Sequence, residues 1–153
     1  MPWTRQGSRV TLTLVREMPV LAVARFIEIS DTRFWLVVQF YVAQALSKID
    51  LGGVKAVALD ETAFKRGYNY VTVFIDLDRK QKSVISVTPG KGEGCLVLFR
   101  CSLCEHGGGH NNIIEVVCDI SSAFLAAIGA SFPGANVTVD WFHVVQTLNH
   151  RRG

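Results

Sequence analysis

The period of the apolar positions divides the chain in two. Over residues 8–50 they recur at helical spacing, whereas beyond Leu51-Gly52-Gly53 they gather into short runs of strand type. In the first part, Pro19 suits the first turn of a helix running to about Ile29. Ser30-Asp31 offers a break and an N-cap before a second helix from Thr32 to Lys48. In the second part, strands are predicted over 54–59, 68–76 and 82–88, with Asp76-Leu77-Asp78-Arg79 turning the chain between the last two. Pro89-Gly90-Lys91-Gly92 reads as a loop, and Glu93 to Cys104 as a helix. Then follow a glycine-rich stretch, a strand over 113–118, a helix over 121–130, a strand over 136–139 and a last helix from Trp141.

Three strands linked as antiparallel neighbours and then two strand–helix units make the order β-β-β-α-β-α-β-α. That is the order of the ribonuclease H-like fold, a mixed five-stranded α/β sheet with flanking helices. In it the first and fourth strands are parallel neighbours. Asp60 closes the apolar run Val54 to Leu59, and Asp119 closes Ile113 to Cys118, so the two would meet at one edge of the sheet. Carboxylates in the crevice beyond the carboxyl ends of buried strands stand where α/β sheets place their ligands. Two of them can hold divalent metal for phosphoryl chemistry. The competing reading is that each Asp caps the helix that follows. Glu61, one residue along, falls on the opposite face of an extended strand, so packing or hydrogen bonding there is its expected role.

Two helices across a short joint fit a helix-turn-helix. The second is poor in the residues that read base edges: Phe34, Trp35, Leu36, Val37, Val38, Phe40, Tyr41 and Val42 leave only Arg33, Gln39, Gln44 and Lys48 to face a groove. Taken alone, the segment reads as a structural helix pair before it reads as a DNA reader.

Composition adds bounds. With 153 residues, 49% hydrophobic, the chain can bury one sizeable core. A net charge of +3 allows a polyanionic partner without demanding one. Cys95, Cys101, Cys104 and Cys118 show no disulfide framework, which points to a reducing, cytoplasmic setting, and Cys118 reads as a small core hydrophobe. The start of the chain is no signal peptide, and the longest apolar stretch, Phe34 to Leu46, is too short to span a bilayer. Cys101 and Cys104, with His106 and His110, have the residue types of a zinc site. Their helical and Gly-Gly-Gly context argues instead for cysteines that simply pack.

A wider set of runs carries a resemblance. Asp60-Glu61-Thr62, Arg66-Gly67-Tyr68-Asn69-Tyr70, Thr88-Pro89-Gly90-Lys91, His106-Gly107-Gly108, Asp119-Ile120-Ser121, Phe132-Pro133-Gly134-Ala135 and Asp140-Trp141-Phe142-His143 follow one another in order. Upstream lie Pro2-Trp3-Thr4-Arg5 and Asp31-Thr32-Arg33-Phe34-Trp35. Together they resemble bacterial insertion-sequence transposases of the DDE class, specifically the ISL3 family. The resemblance implies a helix-turn-helix-like segment over 8–50 and a ribonuclease H-like catalytic core over 54–150. It implies Asp60 and Asp119 as the first two catalytic acids and metal ligands, with Mg²⁺ or Mn²⁺ as cofactor. Asp140 and His143 match the accessory signature that follows the second acid. It implies DNA as partner, both element ends and target, a homo-oligomer in the full-length protein, and a nucleoid-associated place in a bacterial cytoplasm. The family's third acid, a glutamate on a later helix, has no counterpart up to Gly153. Nor has its N-terminal zinc-binding module. A C-terminally truncated core, inactive alone, is therefore expected. The alternative is a non-catalytic DNA-binding or dimerising module derived from a transposase. Lys65, Arg66 and Tyr68 lie just past Asp60, where they either position phosphate or form a solvated basic turn.

Overall fold

A computed structural model describes residues 5–65, 69–79, 83–119 and 122–139. It resolves into two compact units, 1–49 and 50–153.

The first unit is helical: α1 (Arg5–Glu17), α2 (Val20–Phe26) and α3 (Asp31–Leu46). Pro19 precedes α2 as its N-cap, and its carbonyl accepts from the amides of Ala22 and Val23. Helix α2 stops at Phe26, short of the Ile29 that the apolar spacing predicted. Glu28 takes φ 54°, and the Ile29 amide reaches back to the Ala24 carbonyl at 3.1 Å. This left-handed stop is ordinarily glycine's, so the sequence carried no sign of it. Ser30 is the N-cap of α3, as expected, though its hydroxyl makes no capping hydrogen bond. Val23, Ala24 and Phe34 form the buried centre, with Leu14, Val15, Val20, Ile27, Ile29 and Val38 packed around it.

The second unit is a five-stranded sheet: β1 (Ala56–Lys65), β2 (Asn69–Asp76), β3 (Val84–Pro89), β4 (Glu115–Cys118) and β5 (Asn136–Val139). Helix α4 (Glu93–Glu105) joins β3 to β4, and α5 (Ser122–Ser131) joins β4 to β5. The strand order is β3-β2-β1-β4-β5. β2 is antiparallel to both β1 and β3, while β4 is parallel to both β1 and β5. Three antiparallel strands with two parallel ones added beside the first define the ribonuclease H-like topology that the element order implied.

Strand alternation gives the sheet two unlike faces. Val57, Leu59, Phe74, Val116 and Cys118 are buried on one of them, where Phe74 stacks on Phe99 of α4 at 4.0 Å between ring centroids. Cys95, Leu96, Phe99 and Leu103 form the inward stripe of α4, and Phe124, Ile128 and Phe132 extend the core through α5 and its end. Ala58, Ile75 and Val117, on the other face, are only half-buried, and Val84 and Val87 are exposed. Cys118 is thus the core hydrophobe that the sequence suggested.

The His106-Gly107-Gly108 run has a structural task. Gly108 donates to the Leu103 carbonyl at 2.7 Å, and His106 accepts from the Leu51 amide at 2.9 Å. A Cβ on Gly108 would stand 2.7 Å from the Leu51 carbonyl oxygen, inside any real contact distance. Only glycine lets the chain leaving α4 lie so close to 51–52. The same segment then returns to β1, where Ile114 donates to the Lys55 carbonyl at 2.8 Å and β4 begins. The Asp76–Arg79 turn is likewise explained by turn chemistry. Asp76 accepts from the Asp78 amide at 3.1 Å through Oδ1, and its Oδ2 lies 2.8 Å from Arg79 Nε.

Candidate active site

β1 is longer than its apolar run, and this changes where Asp60 sits. Pairing with β2 continues to Lys65, so Asp60 lies inside β1, opposite Val73, and not beyond its end. The parallel pairing with β4 stops earlier, at Ala58 opposite Val117. Carried two residues on, that register sets Asp60 level with Asp119, which directly follows β4. The two acids therefore meet just past the end of the parallel β1–β4 pairing, on two inner strands and not on an outer strand of the sheet. They alternate with Ala58 and Val117 and share their half-open face. Both are exposed, and together with Ala58, Leu59, Ile75, Val117 and Cys118 they line a cleft of about 200 Å³.

Glu61 points the other way, as its parity required. It pairs with Thr72 and lines a separate, larger cleft of about 640 Å³ with Lys91, Gly92, Glu93 and Phe124. Lys91 stands over the Tyr70 ring at 4.4 Å from its centroid. The smaller cleft is the better candidate despite its size, because two hard carboxylates line it just past the end of the parallel β1–β4 pairing. Behind it, burial pushes the Cys118 thiol above its ordinary pKa, and the negative charge of Asp119 adds to the effect. Cys118 therefore stays a neutral thiol beneath the acids.

Among the described residues, no three His, Cys, Asp or Glu side chains group closely enough to hold a metal ion. Cys101 and Cys104 do not pack, contrary to expectation: both are exposed, while the inward stripe of α4 passes through Cys95, Leu96, Phe99 and Leu103. His106 Nδ1 lies 2.8 Å from the Ser102 carbonyl. Lys65 closes β1 at its hairpin end, five residues beyond Asp60, because antiparallel pairing keeps this segment extended. It is thus about 16 Å along the strand from Asp60 and not at the cleft mouth. Arg66 and Tyr68, and also Asp140 and His143, lie outside the described residues. None of the described helices is long and apolar enough to cross a membrane.

Topology and acid placement define the class, a ribonuclease H-like core with one carboxylate within its first strand and one directly after its fourth. The family model of ISL3 DDE transposases, described as a transposase, matches residues 57–152, more than half of the chain. The chain belongs to this family. It is similar to the transposase for insertion sequence element IS1001 of Bordetella parapertussis, with 29% identity over 152 residues. That match takes in 95% of this chain and 36% of the relative, so the chain spans little more than a third of the relative's length. The HTLV-2 integrase catalytic core domain, solved in complex with magnesium in a dimeric form, matches at a TM-score of 0.42. Its sequence identity is 16%, over 66% of this chain and 68% of that one.

Proposed function

We propose that this chain carries part of the catalytic core of a DNA-transposing enzyme, with Asp60 and Asp119 as two of its catalytic acids. The observation that carries the reading is the β1–β4 register, which supports a shared cleft for the two carboxylates. The donor set fits a hard divalent ion such as Mg²⁺ or Mn²⁺, since both groups offer only oxygen. Such an ion, when bound, lowers the pKa of an attacking oxygen and neutralises charge at a phosphorus centre. Asp60 would hold it from within β1 and Asp119 from the end of β4. Apolar Ala58, Ile75 and Val117 line the cleft beneath them.

The substrate in this reading is DNA, at the ends of an element and at its target. Lys65, Arg66 and Tyr68 would contact phosphates beside the core, and Asp140 and His143 would support the second acid. Residues 8–50 would form a helix-turn-helix-like segment ahead of a core over 54–150. Two acids leave a divalent ion under-coordinated, so the chain by itself is expected to bind DNA weakly without cutting it. Mobility-shift and nicking assays on duplex DNA with Mn²⁺ test this. Binding that weakens steeply with added salt, with no nicking, is the expected result. Absence of binding even at low salt would contradict the DNA reading. Nicking lost in Asp60→Ala would keep the site but refute inactivity.

A further inference from the structure

We infer that Cys101 and Cys104 form a two-thiolate site for a soft, thiophilic metal ion such as Cu⁺. Both stand on α4 and both are exposed, although a free cysteine is among the side chains most often buried. Cys95 and Cys118 follow that rule. Packing therefore accounts for those two thiols and not for Cys101 and Cys104. The exposed pair lies on α4, which covers one face of the sheet, while Asp60 and Asp119 line a cleft on the other. It is thus independent of the reading given for that cleft.

The helix brings the two thiols together. Residues three apart in an α-helix are neighbours on one face, with about 5–6 Å between their Cβ atoms. α4 runs unbroken from Glu93 to Glu105, so the pair keeps this spacing on its outward side, away from Leu96, Phe99 and Leu103. That separation decides what the pair can do. A disulfide needs its Cβ atoms about 3.5–4.5 Å apart, closer than the helix holds them. One bridging ion needs more room. Two opposed metal–sulfur bonds of about 2.3 Å set the sulfurs about 4.6 Å apart, within reach of this pair.

The donor set then selects the ion. Among the described residues no third His, Cys, Asp or Glu completes a close group with the two thiols. A zinc site, which takes three or four protein ligands, is therefore not supplied. His106 turns its Nδ1 to the Ser102 carbonyl at 2.8 Å, and the exposed Glu105 offers only hard oxygen. Thiolates are soft donors that select Cu⁺, an ion satisfied by two ligands. On binding, each thiol releases its proton to water and forms one sulfur–metal bond. The copper stays Cu⁺, so no electron is gained or lost.

The test titrates the reduced whole chain anaerobically with Cu⁺ held by a chromogenic chelator, whose colour reports transfer of the ion. Uptake of one ion per chain is expected. Cys101→Ser and Cys104→Ser should each weaken it about a hundredfold or more, since a single thiolate remains on that face. A displaced pair controls for thiol number. Cys104→Ser with Ser102→Cys keeps both thiols but points them to different sides of the helix, and should bind no better than Cys104→Ser alone. Circular dichroism should be unchanged in the single variants, whose positions are exposed. A parent that takes up no Cu⁺ overturns the inference. So does uptake that survives either serine substitution, or a displaced pair that binds as tightly as the parent.

Discussion

The two faces of the sheet are made by the same strands and have opposite duties. On the helix-covered face, Phe74 is fully buried and stacked on Phe99, and Leu59, Val116 and Cys118 lie beside it. On the other face, their immediate neighbours Asp60, Ile75, Val117 and Asp119 line an open cleft. A single step along β1 separates the two roles. One side holds the fold by apolar burial, and the other is left free to hold carboxylates that a core would not tolerate without partners.

This contrast breaks most readily at its ends. Phe74→Ala removes a fully buried ring and should cost about 3–5 kcal/mol of stability, read from the urea midpoint. Val87→Ala, at 55% exposure on the open face, should cost less than about 1 kcal/mol in the same measurement. Similar losses in both would erase the distinction between the faces. The next largest effect concerns the connection that returns the chain to β1. Gly108→Ala forces a Cβ against the Leu51 carbonyl and should cost about 1–3 kcal/mol, with faster hydrogen exchange at the Leu51 amide.

Asp60→Asn should leave stability within about 0.5 kcal/mol of the parent, since an exposed strand residue away from the core carries little of it. The smallest effect is one of pH. Folding raises the Cys118 pKa, so the folded state holds that proton more tightly than the unfolded chain. The contribution is whole below the ordinary thiol range and is lost as pH rises from there through the raised folded value. Asp119→Asn removes the lesser of the two causes and should shrink that alkaline loss. Denaturation midpoints of parent and variant measured across neutral to alkaline pH check this, and an undiminished or larger loss in Asp119→Asn would contradict the assignment.

Much of this was readable from the residues. The strand over 136–139 and the helix beginning at Glu93 stand as their patterns placed them, because apolar alternation and a Gly-Lys-Gly loop announce them. The parity of Glu61 against Asp60 was also legible, since alternation needs no tertiary knowledge. The extent of β1 was not. The segment Asp60 to Lys65 has little apolar signal, and it is extended because β2 pairs with it from Asp60 to Ala63 and again, past an irregularity, at Lys65. The early stop of α2 was hidden for a different reason: Glu28 adopts a conformation that its side chain disfavours, held by the packing around it. The exposure of Cys101 and Cys104 depended on which stripe of α4 turned inward, and that was decided by Phe74 and Phe132 on its neighbours.

The most direct test of the central claim is Mn²⁺ binding to the whole chain, followed calorimetrically or by electron paramagnetic resonance. Asp60→Asn, Asp119→Asn and Glu61→Gln would be compared with the parent. Weak binding is expected in the parent, lost in either aspartate variant and kept in Glu61→Gln, whose carboxylate lies on the opposite face. Binding that survives both aspartate substitutions, or that disappears with Glu61→Gln, would contradict a metal site built from Asp60 and Asp119.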